Sequence, residues 1–356
     1  MQLLSNAYAK GRTNTAGCTK LAVFFLVCLC FFTACPLNAN GVDSGAVPYV
    51  VNGKLFSFTP DSQQEIAEGY TQSSVAASRK SGYILAWNQK KQRLYHFAGQ
   101  KSAASVELKA SLVYAGSNYI LAQNSSFTEN KGFSFTLYSI KYSVNGRKLK
   151  LKSVWSGCID CFVSDFFFTA DGICIAGGTR DDTKSNAFYI TADGIHKCFS
   201  VAKNSDFLRL VPAGDSKKVY AFISTRDKSS RAPVIYSFDV NDAPDQAVTI
   251  DLRGNPLLPA GFDCFFGYGF SAVPDTNVVA GRVILPANVD GIIQFVCYDC
   301  AAAKITGVVP DAVGCVAPLA ATSEGTYYIA RDPLIEDSWY GIGLFTGNKC
   351  IRIKSF

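Results

Sequence analysis

FVSDFFFTADGICIAGGTRDDTKSNAFYITADGIHKCFS, residues 162–200, contains the pentapeptide TADGI twice, from Thr169 and again from Thr191. Asp-Gly between alternating apolar runs is a strong hairpin signal, because both residues tolerate the positive φ that a two-residue turn of the right twist needs. The stretch therefore predicts four antiparallel strands, Phe162 to Thr169, Ile173 to Thr179, Ala187 to Thr191 and Ile195 to Val201. A longer polar loop joins the second to the third.

Working outward, the same four-run pattern recurs. SVAASR, YILAWN, RLYHFAG and ASVELKA make one unit, and SLVYAG, NYILAQN, FSFTLYSIKY and KLKLKSVW the next. Beyond the opening stretch follow FLRLVP, KVYAFIST, PVIYSFDV and AVTIDL, then CFFGYGFSAV, NVVAGRVIL, IIQFVCYD and KITGVV, then CVAPLAAT, TYYIARD, SWYGIGLFTG and CIRIKSF. Before them, VPYVVNGKLFSFTPD gives two runs hinged on Asn52-Gly53, with QEIAEGY as an outer strand and no obvious first strand. Units of roughly 45 to 50 residues fit the blades of a propeller, in which four-stranded sheets stack face to face around an axis until the ring closes. The expectation is all-β, a single β-propeller of four-stranded antiparallel blades over residues 47–356. Seven blades are preferred, with six plus an accessory hairpin as the alternative. Composition agrees: 48% of residues are hydrophobic and 13% aromatic, crowded into short β-branched and aromatic runs between Gly, Asn, Asp and Ser.

A second repeat supports this register. The second strand of a unit ends in TRDD at Thr179, in TRDK at Thr225 and in ARDP at Ala330, so Arg180, Arg226 and Arg331 share one blade position. Arg180, Asp181, Asp182, Arg226, Asp227, Arg331 and Asp332 thus make a candidate partner-binding face. The competing reading is structural: a residue repeated in several blades usually closes a loop in each, and a site tends to break symmetry.

The N-terminus reads as an address. Lys10, Arg12 and Lys20 precede a twelve-residue apolar run, Leu21 to Phe32, and no acidic residue occurs before Asp43. About 20 apolar residues are needed to span a bilayer as a helix, so this run is a signal h-region. FFTAC, ending at Cys35, resembles the lipobox of bacterial lipoproteins in its looser, spirochaete-type form; Phe32 and Pro36 depart from the usual pattern. That resemblance implies a signal peptide over residues 1–34, acylation of Cys35 with a palmitate-type chain, and a tether over 35–46. An ordinary cleaved signal ending at Ala34 is the alternative.

Removing the three basic signal residues from 34 leaves 31 against 28 acidic residues, a formal +3. With no basic cluster or aromatic-basic stripe, nucleic acid is not an expected partner. Nine cysteines remain after Cys35, an odd number in an exported chain. Cys158, Cys161, Cys297 and Cys300 form two C-x-x-C pairs 135 residues or more apart, which favours disulfides over a zinc site. Neither His96 nor His196 sits in a nucleophile or metal motif, and no cofactor is expected.

Blade pattern and lipobox together resemble bacterial envelope lipoproteins that carry a PQQ-like or WD40-like repeat domain. The resemblance implies a lipid-anchored interaction platform, periplasmic or surface-exposed, that meets a protein partner through propeller loops. It carries over no catalytic residue. The alternative is an exported propeller enzyme, a hydrolase or lyase acting on glycans or peptides, which needs an asymmetric acid/base cluster at one channel mouth.

Overall fold

The structure is a computed structural model and describes residues 47–355 apart from 60–61, 79–82, 129–131, 144, 182, 203–204, 213–216, 226–233, 253–254, 258–261, 266–281, 290–291, 300–301, 303, 310–313, 323–324, 332–339 and 346–349. The signal, Cys35 and the tether lie outside the described residues.

Among the described residues seven antiparallel sheets follow one another along the chain. The first has three strands, β1 (Val47–Val51), β2 (Lys54–Thr59) and β3 (Ser62–Glu68). Six have four. They are β4 (Val75–Ala77), β5 (Tyr83–Asn88), β6 (Arg93–Ala98), β7 (Lys101–Glu107); β8 (Leu112–Ala115), β9 (Tyr119–Thr128), β10 (Gly132–Tyr142), β11 (Leu149–Ile159); and β12 (Phe162–Phe168), β13 (Gly172–Gly178), β14 (Lys184–Thr191), β15 (Gly194–Ala202). Then come β16 (Ser205–Pro212), β17 (Lys218–Thr225), β18 (Val234–Asp239), β19 (Val248–Asp251); β20 (Phe262–Phe265), β21 (Arg282–Val289), β22 (Ile292–Asp299), β23 (Lys304–Val309); and β24 (Gly314–Thr322), β25 (Gly325–Arg331), β26 (Tyr340–Phe345), β27 (Cys350–Ser355). The four strands expected from the opening stretch are β12 to β15, within a few residues at each end.

The core lies between sheets rather than inside one. Leu85, Trp87 and Leu94 pack on Val113, Ile120 and Leu149 of the next sheet, Phe166 and Ile173 on Tyr114 and Phe135, and Phe199 on Phe238, with rings stacked at 5.0 Å. Each sheet has two apolar faces and covers both only by standing between neighbours, which is the propeller solution. The ring closes on itself: Tyr49, Val51 and Phe58 of the first sheet pack on Tyr327, Ile342 and Leu344 of the last. Among the described residues no strand is shared between these two sheets, so this closure is made by side chains.

The first sheet is the partial blade expected from the sequence, and the missing position can be assigned. β1 is buried along its whole length, as second strands β5 and β13 nearly are, whereas β3 alternates exposed and half-buried like the outermost strand β7. An outer-strand bulge marks β3 as well, beside Ile66, matching those beside Ala103, Val154, Cys198, Thr306 and Ile353. The backbone N–H groups of Gly69 and Tyr70 bond Gly53 O at 2.7 and 3.1 Å, just as Leu108 N bonds Gln92 O at 2.9 Å one sheet on. The first sheet therefore supplies second, third and fourth strands, and among the described residues none takes its innermost position.

Turn chemistry agrees with the sequence at one hairpin and corrects it at two. Asn52 and Gly53 both take positive φ, 51° and 77°. In the TADGI repeats Ala170-Asp171 and Ala192-Asp193 occupy the turn centres, and the glycines are the first residues of β13 and β15. A threonine hydroxyl explains the shift. Gly172 N donates to Thr169 Oγ1 at 3.0 Å and Asp193 N to Thr191 Oγ1 at 3.2 Å, so each hairpin is closed from its threonine. Gly172 is retained for close approach: a Cβ there would lie 2.1 Å from Ile190 O.

Candidate functional site

Two faces follow from the strand order. Turns joining first to second and third to fourth strands share one end, here the turn face. Loops joining second to third strands, and the links between sheets, share the other, here the link face.

The Arg-Asp loop of residues 179–183 lies on the link face, and Asp181 organises it. Its Oδ1 accepts from Thr179 Oγ1 at 2.7 Å, Thr183 Oγ1 at 2.7 Å and Thr183 N at 3.0 Å. These bonds to the ionised form, chiefly from the two threonine hydroxyls, hold the carboxyl down at about 2. Arg180 N donates to Asp160 Oδ1 at 2.9 Å, tying the loop to the link that precedes β12. Arg180 and Asp181 are both exposed. Arg331 is the last residue of β25, paired with Gly314 and Tyr340, whereas Arg180 lies two residues past the end of β13. Arg180 and Arg331 thus both lie at the end of a second strand but not in one register. Asp182, Arg226, Asp227 and Asp332 lie outside the described residues.

The polar residues that sequence reasoning left unassigned turn out to brace neighbouring sheets. His96, fully buried on β6, has Nδ1 3.0 Å from Gly146 O in the next sheet and Nε2 2.9 Å from Ser78 Oγ. A carbonyl can only accept, so Nδ1 carries the proton and Nε2 accepts from Ser78. His96 also stacks on Tyr83 at 4.5 Å. His196, exposed on β15, repeats the device 100 residues later, with Nε2 2.6 Å from Asp242 O. Asp165, 2% exposed on innermost strand β12, accepts from Leu210 N on β16 at 2.6 Å. Each of the two innermost strands carries a bulge here, at Ser164 and Leu208. A period of 45 to 50 residues between partners was the available signal.

On the turn face Asp171 accepts from Thr169 Oγ1 at 2.9 Å, from Lys217 Nζ at 3.2 Å and from Tyr189 OH. Lys217 also sits 5.6 Å from the centre of the Tyr189 ring. Burial pushes the Tyr189 phenol up and the Asp171 bond adds to it; burial alone would raise Asp171, but the bonds from Tyr189, Thr169 and Lys217 outweigh it and hold the carboxyl below its ordinary value. The phenol is kept protonated and the carboxylate ionised, the reverse of a poised acid/base pair.

The expected disulfides are not formed where they can be seen. Cys158, Cys161, Cys174 and Cys198 are free thiols. Cys174 in β13, Cys198 in β15 and Cys161 in the link before β12 are fully buried near one another, and burial raises Cys161 and Cys174 well above a free thiol. These thiols are therefore packing residues, not nucleophiles. Cys297 lies in β22, and Cys300 is outside the described residues. Among the described residues no three His, Cys, Asp or Glu come together as a metal site.

Exposed apolar side chains were not foreseen. Leu112 (42%) and Phe162 (51%) are the first residues of adjacent innermost strands, and Leu257 (49%) lies in the link before β20. All three are on the link face, with Phe162 alongside the Arg-Asp loop.

No protein-family model matches the chain, and no curated protein matches it. Solved structures do. Hydrazine synthase of Kuenenia stuttgartiensis superposes with TM-score 0.53 and 10% identity, over 98% of this chain and 99% of that one. A functionally unknown protein of Desulfotomaculum acetoxidans gives 0.51 and 12%, over 86% and 94%. The β-propeller domain of Cps50 (Swd1) from Myceliophteria thermophila gives 0.48 and 13%, over 89% and 98%. At such identities the likeness concerns fold alone, and sheet order, inter-sheet core and ring closure define this chain as a β-propeller.

Proposed function

We propose that this propeller is an interaction platform, held at a membrane of the bacterial envelope by lipid on Cys35, that receives a protein partner on its link face. The observation that carries the reading is the juxtaposition on one face of Leu112, Phe162 and Leu257 with exposed Arg180 and Asp181. An apolar centre beside charged groups is the make-up of a protein–protein contact. Asp165, His96 and the Asp171–Tyr189 pair are consumed in bracing sheets, which leaves recognition to the loops.

The test is affinity capture from envelope extract with the mature domain and with Leu112→Ser and Phe162→Ser. The expected result is one co-purifying protein that both variants lose while melting at the wild-type temperature. A partner retained equally by both variants refutes the link-face assignment. Metabolic labelling with palmitate, with Cys35→Ala as control, tests the anchor.

A further inference from the structure

We infer that the cleft between the outer edges of the second and third four-stranded sheets receives an acidic, extended segment of another protein, which adds to β11 as a further strand. This surface is separate from the link face, and its failure leaves the function proposed above standing.

Register places four lysines in that cleft. Lys141 of β10 pairs directly with Lys150 of β11, and Ser139 with Lys152, so Lys141, Lys150 and Lys152 lie on one side of their sheet. That side faces the next sheet: Ile140, Leu149 and Leu151 point the other way, into the core shared with Leu85 and Leu94, while Phe135 and Leu137 pack on Ile173 and Ile190. Lys197 comes from across the cleft, paired with Phe188 on the face of its sheet that carries Ile190. All four lysines are exposed, and so are Arg147 and Lys148 in the β10–β11 turn. β10, β11, β14 and β15 contain no Asp or Glu. Among the described residues no carboxylate lies within ion-pair distance of any of the four.

Scaffold alone does not account for this arrangement. Lysines on an edge strand ward off unwanted pairing, which explains Lys150 and Lys152 but neither Lys141 on the strand inside nor Lys197 on the next sheet. Like charges directly opposite each other destabilise a sheet, so the Lys141–Lys150 pair is a local cost that an incoming carboxylate removes.

Shape selects the partner. β11, with 11 residues, is the longest outermost strand described, and among the described residues no strand pairs with its outer edge. Leu149 to Ser153 keep unbroken register with β10 up to the bulge beside Val154. Lys150 and Lys152, alternate residues of that stretch, are about 7 Å apart along the strand. Carboxylates at alternate positions of an added strand repeat at the same interval and meet the lysines at cross-strand distance. The residues between them point to the other side, where half-buried Leu151 and Val106 offer an apolar contact. The segment that fits therefore alternates acidic and apolar residues. A second copy of this chain does not fit, because pairing β11 with β11 brings two lysine-bearing edges together. An acidic polysaccharide would meet the lysines but leave the main-chain groups of β11 and the Leu151 side chain unused.

Fluorescence anisotropy tests this with the full chain in non-ionic detergent and a labelled peptide of alternating valine and glutamate. The expected result is saturable binding that Lys150→Glu with Lys152→Glu weakens about ten-fold or more, and that reordering the peptide to make its glutamates contiguous weakens as much. The double variant relieves the Lys141–Lys150 pair and should melt at or above the wild-type temperature, which separates lost binding from lost folding. Phe162→Ser, on the link face, should leave the affinity within about two-fold. Absence of saturable binding, or equal binding of the reordered peptide, overturns strand addition. Binding of dextran sulfate without binding of the peptide assigns the cleft to a polysaccharide and overturns it too, as does a peptide lost on Phe162→Ser but kept by the lysine variant.

Discussion

Replacing Asp165 with alanine is the most direct test of how adjacent blades are held. The carboxylate is 2% exposed, and its Oδ2 accepts from Leu210 N at 2.6 Å across the gap between β12 and β16. A hydrogen bond to a charged group contributes about 1.5–3 kcal/mol net, and the Leu210 N–H left behind is itself buried at about 1–3 kcal/mol. These figures overlap, because the second is part of how the first is measured, so the expected loss is about 2–4 kcal/mol. Asp165→Asn keeps an acceptor oxygen of the same shape, and its loss should be less than half as large. Guanidinium unfolding of the mature domain reads the difference as a lower midpoint at unchanged slope. If the alanine variant unfolds within about 0.5 kcal/mol of wild type, as an ordinary surface substitution does, Asp165 is not a latch. If Asn and Ala lose equally, the charge rather than the hydrogen bond matters.

Other consequences can be checked in the same assay. His96→Ala removes both bonds of a buried imidazole and should cost about 2–4 kcal/mol, whereas His196→Ala, at the exposed copy of the brace, should cost under about 1 kcal/mol; equal losses contradict the burial argument. Phe58→Ala empties part of the contact that closes first sheet on last, with rings of Phe58 and Tyr327 at 5.5 Å, for an expected loss of about 3–5 kcal/mol and earlier amide exchange in β1. Gly172→Ala forces a Cβ to 2.1 Å from Ile190 O and should cost about 1–3 kcal/mol or more, while Gly178→Ala meets open space and should stay within about 0.5 kcal/mol. Asp181 should titrate near 2 by carbon-detected NMR; because its folded value is depressed, its contribution is complete above about pH 4 and lost as pH falls toward 2, and Asp181→Asn should abolish that acid-limb dependence.

Much of the architecture was legible because a propeller repeats. Every blade restates the four-run pattern, so the two runs of FVSDFFFTADGICIAGG set a template for the 25 other strands, and the partial first blade showed as one run too few. Turn detail was less legible. Asp-Gly suggested positive φ at both residues of each TADGI turn, but of Asp171, Gly172, Asp193 and Gly194 only Gly194 takes it, and the threonine two residues before each Asp closes the hairpin with its hydroxyl. The cysteines misled for another reason: spacing of C-x-x-C says nothing of depth, and Cys161 sits sealed in the core while Cys158 faces solvent.

The candidate site was harder to read, and the fold explains why. In a ring of similar sheets a polar residue at one position finds the next blade about 45 to 50 residues away, so His96 with Gly146, His196 with Asp242 and Asp171 with Lys217 are local in space yet remote in sequence. A motif search confined to short spacings passes over all three. The Arg-Asp repeat was visible because it is contiguous, yet at Asp181 the visible motif is the loop's own fastening, its carboxylate spent on Thr179 and Thr183. What breaks the symmetry is instead Phe162: an aromatic at the first position of an innermost strand, half exposed where its blade's other rings are covered. Repetition thus reports the scaffold, and the departures from it, an uncovered ring on one face and a first blade with three described strands, are where the blades differ from one another.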